Sequence, residues 1–568
     1  MAPGYALALT LGVTAPLLAP GYLLLRDAVS TPRSYLTDAA LGLTEAAPRA
    51  LPQDFAVALA SALVDGGVVV KALLVLGLWL AGWGAARLVV LCLPDAGPTG
   101  QLVAVTVAIW NPYVAERLLQ GHWSLLVGYG CLPWVAATVL SLRGAADGGR
   151  PDRTQGELGR VGALLFWVAL AGLTPTGLML AATVALAGAL APGTGRPRWW
   201  CAGASLAAAA TAAVPWLVAS AVAGGWAGAV DQRPGIEAFA ARAEPGLGTF
   251  GSLAGLGGIW NAEAGPASRT TLFAVASTSV LLALVAVGAT VLVRRRTAPP
   301  LLILAVVSVV VPALMATGPG LAAAEAVIGA VPGLGVVRDG QKWVALAMPP
   351  YALAGAGAVI ALRPRLPSVA TATVFCAALV ATLPDLAWGV GGQVRSVQYP
   401  PGWQAAASII NARPAPVAVL PVDSMRRFRW AGTAPVLDPL PRWLRPDVLS
   451  TGDLLIAGQT VPGEGIRARA VQRLLVSGAG AEELAAAGVG WVVIENQAGP
   501  APELGLPVAY SDDDLTVYDV GGDTAPSPHR PLLLAAHAVW LTQLGIGLLG
   551  LVLGRRRQTS TGRTRLPS

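Results

Sequence analysis

The stretch that decides the fold is WNPYVAERLLQGHW, Trp110 to Trp123, which joins two apolar runs and carries three ionisable side chains. These are Glu116, Arg117 and His122. At the end of a membrane helix each costs free energy unless it pairs, reaches water or contacts a polar ligand, so the stretch is a candidate functional site. A polar hairpin cap is the alternative interpretation, and it suits His122 better than Glu116. Because adjacent helical residues point about 100° apart, Glu116 and Arg117 are not expected to face one neighbour.

The composition of the chain identifies the environment of that hairpin. The 568 residues are 55% hydrophobic and 12% charged, with a mean hydropathy of +0.62, which is untypical of soluble globular domains. Apolar stretches of about 20 residues recur, and each is long enough to cross a bilayer of about 30 Å as a helix. The chain is therefore predicted to be a polytopic α-helical membrane protein with the lipid bilayer as its partner. The net charge of +7 does not indicate nucleic acid, because basic residues cluster at the ends of apolar runs.

The distribution of arginine predicts the orientation of the spans. With the N-terminus inside, the arginine clusters at 143–160, 196–198, 294–296, 363–365 and 555–557 all fall on the cytoplasmic side. Both termini are then cytoplasmic, in a multi-pass protein of the plasma membrane. The twelve predicted spans are residues 4–25, 67–92, 100–118, 122–142, 160–173, 176–192, 200–222, 271–293, 299–318, 343–362, 367–386 and 531–553.

These spans divide the chain into four predicted parts. Helix-like and strand-like segments alternate between residues 388 and 530, for example WQAAASIINA, VAVLPV and GVGWVVIEN, which indicates an extracytoplasmic α/β domain. That region has no GxGxxG, P-loop or GxSxG motif, so neither nucleotide binding nor serine hydrolysis is indicated. The four parts are a multi-span transmembrane domain with outer loops (1–387), the α/β domain (388–530), the last transmembrane helix (531–553) and a basic cytoplasmic tail (554–568).

Asp27 follows the first predicted span directly, in the segment LLLRDAVSTP. A carboxylate at the mouth of an apolar bundle is suited to take a proton from an acceptor hydroxyl or to hold a divalent cation. The competing interpretation is a boundary pair of Arg26 and Asp27 that marks the water interface. The four cysteines lack CxxC spacing and neighbouring histidines, so neither disulfides nor a zinc site is predicted.

Two further segments on the same predicted face carry polar side chains. RDGQK, from Arg338 to Lys342, places two cations beside Asp339, and such cations suit a lipid-linked phosphate. An ordinary solvated loop is the alternative. The segment WNAE offers a combination suited to carbohydrate, although tryptophan more often serves as an interfacial anchor. Its polar and aromatic residues are Trp260, Asn261 and Glu263.

These features together resemble the GT-C superfamily of membrane glycosyltransferases. An N-terminal span is followed at once by an acidic residue in a long first outer loop, and many spans, polar outer loops and a terminal extracytoplasmic domain follow. NPYVAERLLQGHW, GLGGIWNAE and VRDGQKW are also similar to segments of a group of actinobacterial integral membrane proteins. The resemblance implies Asp27 as catalytic base or metal ligand and Glu116 as a second catalytic acidic residue. The Asp-X-Asp pattern common in that superfamily is absent, since Ala28 and Val29 follow Asp27.

The function implied by the resemblance is an inverting glycosyltransferase. It would transfer a sugar from a polyprenyl-phosphate donor, held by Arg338 and Lys342, to an envelope glycan or glycolipid on the outer face. Two rival functions stay open. A transporter or flippase of lipid-linked sugars would be favoured by inverted repeats and midplane charges, and a non-catalytic scaffold or glycan-binding protein is favoured by the missing Asp-X-Asp pattern. The other residues expected in the substrate site are Arg117, His122, Trp260, Asn261, Glu263 and Asp339.

Overall fold

The structure is a computed structural model, and it combines a helical bundle with a small α/β domain. It describes residues 1–44, 50–145, 156–222, 233–330, 334–421, 424–456, 459–461, 463, 465–496, 504–523 and 527–561. Residues 562–568 of the predicted basic tail lie outside these ranges, and the last helix, Arg530–Thr561, covers the first part of that tail. The last helix therefore continues past residue 553, the predicted end of the last span.

Long apolar helices form the bundle. Within the described ranges, seven helices are long and apolar enough to cross a membrane, which identifies the chain as a multi-pass membrane protein. The count rises to nine if two bent pairs are each one span: Pro299–Met315 with Gly318–Ala330, bent by 95°, and Ser368–Ala381 with Pro384–Gly392, bent by 75°. The seven are Gly66–Cys92, Pro94–Leu119, Trp123–Leu142, Arg198–Val222, Phe273–Leu292, Gly340–Leu362 and Arg530–Gly554.

The predicted number of twelve spans is not confirmed, because several apolar runs form shorter elements. The first run, predicted as span 4–25, is helical only over Ala2–Leu18 and continues as the strand Tyr22–Leu25. Two further predicted spans give the 15-residue helices Glu157–Ala171 and Pro175–Ala189. At 1.5 Å per residue such a helix is about 22 Å long, shorter than a hydrocarbon core of about 30 Å. The orientation, with both termini cytoplasmic, stays a prediction.

At the hairpin Trp110–Trp123, the helix Gly97–Ile109 ends and a new helix starts at Pro112. The Asn111 side chain accepts a hydrogen bond of 3.1 Å from the backbone N–H of Val114 and so caps the helix Pro112–Leu119. An asparagine cap followed by proline is a favoured start for a helix. A turn of three residues then leads into the helix Trp123–Leu142, which places the charged side chains at one end of the bundle.

The α/β domain has a five-stranded mixed sheet, in agreement with the predicted alternation of helices and strands. Successive residues along its strands pack into two different hydrophobic cores, because neighbouring side chains of a strand point to opposite faces of the sheet. Val417 and Val493 pack on one side with Trp403, and Ala418 and Val492 pack on the other. The strand order is Val508–Ser511, Leu515–Asp519, Trp491–Glu495, Val417–Leu420 and Val448–Leu449, and the flanking helices include Pro401–Ala412, Ile466–Val476 and Ala481–Ala486.

A two-residue turn at Arg26 and Asp27 connects the bundle with the α/β domain. It joins two antiparallel strands, with Leu25 paired to Ala28. The Arg26 N–H donates to the carbonyl of Pro435 in the α/β domain at 2.8 Å, and the Arg26 carbonyl accepts from the N–H of Leu437 at 2.8 Å. Arg26 has a φ of +48°, which is rare for a residue other than glycine and costs about 1–3 kcal/mol. The surrounding contacts therefore hold Asp27 in a strained, fixed turn.

Gly121 of the hairpin lies directly against this turn. It has a φ of +83°, and a Cβ atom at this position would lie 2.3 Å from the Ala28 nitrogen and 2.4 Å from the Leu25 carbonyl oxygen. Both atoms belong to the backbone and cannot move aside cheaply. Glycine is therefore required here both for its conformation and for its small size.

We expect Gly121→Ala to lower the free energy of unfolding by about 2–4 kcal/mol, because it adds a backbone clash to the cost of a positive φ. Gly478→Ala is the matched control, since Gly478 follows the helix Ile466–Val476 with a similar positive φ, +77°, but has open space at its Cβ position. That control should lose only about 1–2 kcal/mol. Titration of the purified protein with a denaturing detergent measures both values, and equal losses would contradict the close packing of hairpin and turn.

Candidate functional site

Asp27 presents a half-exposed carboxylate at the end of the bundle that faces the α/β domain. Its side chain is 40% exposed. Oδ2 accepts hydrogen bonds from Gln120 Nε2 at 3.1 Å and from His122 Nε2 at 2.9 Å. Burial raises the pKa of Asp27, but these bonds and the nearby charge of Lys342 outweigh it and hold the pKa below its ordinary value. Asp27 is therefore an ionised carboxylate with one oxygen fixed in place.

The tautomer of His122 follows from its two partners. Nδ1 lies 3.0 Å from Nη1 of Arg117, and because a guanidinium can only donate, Nδ1 must accept. The ring proton is then on Nε2, where it is donated to Asp27. Burial lowers the pKa of His122, the charges of Lys342 and Arg117 lower it further, and the bond to Asp27 opposes them. The ring is therefore neutral and donates to the carboxylate.

A buried ion pair joins the hairpin to the RDGQK segment. Arg117, which is fully buried, donates from Nη1 and Nη2 to the two carboxylate oxygens of Asp339 at 3.1 and 3.3 Å. Lys342 Nζ lies 3.6 Å from Oδ2 of the same carboxylate and is 23% exposed. Burial raises the pKa of Asp339, but Arg117 and Lys342 lower it to about 2. The lysine charge thus stays at the surface of the site while its partner is buried.

Glu116 is fully buried and holds the loop that follows residue 256. Its carboxylate oxygens accept from the backbone N–H groups of Gly258 at 3.0 Å and Ile259 at 3.2 Å, and from Gln341 Nε2 at 2.9 Å. The amide oxygen of Gln341 also accepts from Arg117. The expectation that Glu116 and Arg117 would not face one neighbour is therefore wrong, because the long amide side chain of Gln341 bridges the two directions.

The WNAE segment is connected to Asp27 through the side chain of Gln120. Asn261 Nδ2 donates to Gln120 Oε1 at 2.9 Å, and Gln120 Nε2 in turn donates to the Asp27 carboxylate. Glu263 is 66% exposed, with its carboxylate 3.9 Å from Arg26. The backbone carbonyl of Glu263 accepts from Nη2 of Arg26 at 2.8 Å. Asn261 and Glu263 thus border the turn that carries Asp27.

The ring of Phe239 lies between Arg338 and Trp260 of the WNAE segment. The Arg338 guanidinium lies over the ring of Phe239, 4.4 Å from its centroid, and Phe239 contacts Trp260 edge-on at 4.6 Å. Arg338 is also close enough to Lys342 for their charges to interact. The predicted cations and the predicted aromatic residue therefore surround one region.

Sequence patterns alone do not identify three contributors to the site, which are Gln120, Gln341 and a second buried ion pair. Gln120 and Gln341 carry no charge, so hydropathy and charge patterns do not distinguish them from surface glutamines. A second buried ion pair, Glu244 with Arg269, lies behind Glu116 and was not identified. The only signal for this pair was the position of its residues on either side of the Gly-rich segment GLGG.

The charged groups define a membrane protein with a polar site at one end of its helical bundle. Within the described ranges, no group of three or more His, Cys, Asp or Glu residues is arranged to hold a metal ion. Comparison of the chain with protein-family models, curated proteins and solved structures finds no match. The class of protein is therefore defined by its structure. It is a multi-pass helical bundle joined to an α/β domain, with a polar site at one end of the bundle.

Removing the buried carboxylate should destabilise the protein strongly. We expect Asp339→Asn to lower the free energy of unfolding by about 3–5 kcal/mol, because it leaves Arg117 buried without its counter-ion. Glu157→Gln removes the partner of Arg196 in an exposed pair with side chains 56% and 46% accessible, and it should cost less than about 1 kcal/mol. Denaturing-detergent titration measures both variants. A loss of less than about 1 kcal/mol for Asp339→Asn would contradict the burial of the Arg117–Asp339 pair away from water.

The protonation of His122 can be observed directly. We expect nitrogen NMR of labelled histidine at pH 7 to show a neutral ring with the proton on Nε2, and a midpoint below the ordinary value of about 6.5. The unfolded chain binds this proton at about pH 6.5, so the stability gained from the neutral ring is present above that pH and is lost as pH falls through the folded-state pKa. His122→Gln assigns the signal, and a proton on Nδ1 would contradict the network.

Proposed function

We propose that the protein is an inverting glycosyltransferase that uses a polyprenyl-phosphate sugar to extend an envelope glycan or glycolipid. The observation that carries this proposal is the carboxylate of Asp27, half exposed and held by one oxygen, beside the partly exposed cation of Lys342. A carboxylate and a cation on one surface suit the two ends of a glycosyl transfer. The GT-C-like arrangement of the sequence supports the same reaction.

Asp27 is the general base in this proposal. The acceptor hydroxyl oxygen forms a bond to the anomeric carbon from the face opposite the phosphate, and the hydroxyl proton passes to Asp27. The bond between the anomeric carbon and the phosphate oxygen breaks, and its electron pair leaves with the polyprenyl phosphate. Arg338 and Lys342 stabilise the negative charge on that phosphate, where cations are most effective.

The remaining residues of the network position these groups. Because Glu116 is fully buried and bonded to Gly258, Ile259 and Gln341, we assign it to holding the loop instead of contacting acceptor or metal. Trp260, next to the cation over Phe239, would contact the sugar. The proposal places this site and the α/β domain on the outer face of the plasma membrane.

The same contacts bear on the two rival functions. A flippase needs ionisable groups along a path through the bilayer, whereas the groups of this network gather where the bundle meets the α/β domain. A non-catalytic glycan-binding protein would use the same surface without needing a base. Substitution of Asp27 separates this second rival from the enzyme, because only the enzyme depends on the carboxylate for turnover.

We expect Asp27→Asn to lower sugar transfer by about 10²–10⁴-fold, because the amide cannot accept the hydroxyl proton. The measurement is transfer of radiolabel from a panel of polyprenyl-phosphate sugars to a purified envelope-glycan acceptor, using the full chain in nanodiscs. The thermal melting of the variant is measured in parallel, since an unchanged melting temperature excludes unfolding as the cause.

Asp513→Asn is the matched control, because Asp513 is an exposed carboxylate of the α/β domain outside the network. It should transfer sugar as the unmodified chain does. Transfer that survives Asp27→Asn unchanged would remove the proposed base. Failure of the unmodified chain with every donor, together with retained binding of the acceptor, would favour the glycan-binding function instead.

A further inference from the structure

A cleft separate from the Asp27 site lies between the chain that follows Asp27 and the α/β domain. Its volume is about 370 Å³, within the range of roughly 300–1,000 Å³ typical of small-ligand sites. The first outer loop forms one wall, and the helix Pro401–Ala412 with residues 443–445 forms the other. The lining residues used below are Arg33, Tyr35, Gln404, Ser408 and Arg445.

Two arginines meet in this cleft without a carboxylate between them. The guanidinium carbons of Arg33 and Arg445 each lie 5.2 Å from the centroid of the Tyr35 ring. No Asp or Glu lines the cleft, so among the described residues the two charges are not neutralised there. Cation–π contacts fix the position of a guanidinium while leaving its N–H groups able to donate.

The hydrogen-bonding capacity of the two arginines is only partly used. Within the described ranges, Arg33 donates only from Nη1, to the carbonyls of Ser34 and Ala58 and to the hydroxyl of Ser61. In the part of the chain that the structure describes, the Arg445 side chain has the Tyr35 ring as its contact and donates no hydrogen bond. The cleft therefore offers N–H groups with the fork geometry that binds carboxylate or phosphate.

We propose that this cleft binds an acidic saccharide, through a carboxylate or phosphate group held by Arg33 and Arg445. The neighbouring side chains of Gln404 and Ser408, both exposed on one helix, provide neutral hydrogen-bonding groups for sugar hydroxyls. This assignment rests on the proposed function, in which the saccharide is part of the acceptor glycan. Arg33 is six residues from Asp27 and so lies within about 22 Å of it, a distance that an extended glycan bridges.

The test measures binding separately from transfer. The probes are trigalacturonic acid, its neutral methyl ester and inorganic phosphate, titrated calorimetrically into the full chain in nanodiscs of neutral lipid. We expect the acid to bind at least about 10-fold more tightly than the ester and than phosphate, with an affinity that falls as salt rises. Asp513→Asn should bind the acid normally, because Asp513 is an exposed carboxylate that does not line the cleft.

Variants locate the binding in the cleft. Arg445→Gln should weaken binding of the acid about 10-fold or more, and Arg445→Lys should restore part of it because the charge returns. Ser408→Trp should block the cleft by its size. Arg473→Gln is the control, since Arg473 is an exposed arginine on a different helix and should leave binding unchanged. Arg33 is left intact, because its bonds to Ala58 and Ser61 also support the fold.

Several outcomes would overturn the assignment. Equal binding of acid and ester, or normal binding by Arg445→Gln, would show that the arginines do not recognise the ligand. Phosphate binding as tight as that of the acid would assign the cleft to a free anion, and loss of acid binding in nanodiscs of anionic lipid would assign it to a lipid headgroup. If the chain binds the acid but transfers no sugar, the saccharide-binding site is supported. Only the proposal that the bound saccharide is the acceptor glycan is then rejected.

Discussion

The buried pair of Arg117 and Asp339 is the interaction on which the rest of the site depends. Moving either charge out of water costs several kcal/mol, and only near-complete pairing offsets that cost. The hairpin and the RDGQK segment, more than 200 residues apart in sequence, must therefore meet in one geometry. The Arg117 guanidinium also donates hydrogen bonds to Gln341 and His122. Its position therefore determines where both of those side chains lie.

The His122 ring connects the buried ion pair to the exposed carboxylate of Asp27. Because Arg117 can only donate, Nδ1 of His122 is left as an acceptor, and the proton on Nε2 points to Asp27. The turn that carries Asp27 is fixed independently from the other side, by backbone bonds between Arg26 and the α/β domain. The carboxylate is therefore positioned by the bundle and by the α/β domain together, and neither part alone determines its geometry.

Sequence patterns are most informative where a residue type is costly in its context. Glu116 and Arg117 could be singled out because ionised groups are rare in apolar helices, and the strands of the α/β domain follow from alternating apolar residues. The number of spans could not be obtained in this way, since an apolar run such as residues 4–25 can end in a strand that pairs with a distant segment. The role of Glu116 was equally inaccessible, because its backbone partners at Gly258 and Ile259 lie about 140 positions away.

The arrangement also explains how a strained turn can persist beside the exposed carboxylate of Asp27. Left-handed backbone at Arg26 is unfavourable by itself, and it is maintained because Gly121 allows the hairpin to approach the turn within a distance that a Cβ atom would prevent. The close approach brings Gln120 and His122 to a single oxygen of Asp27. A carboxylate held in this way needs little reorganisation when charge changes beside it, which is the physical basis of preorganised sites. The glycine, which carries no chemistry, is therefore as necessary to the geometry of the carboxylate as the charged residues that contact it.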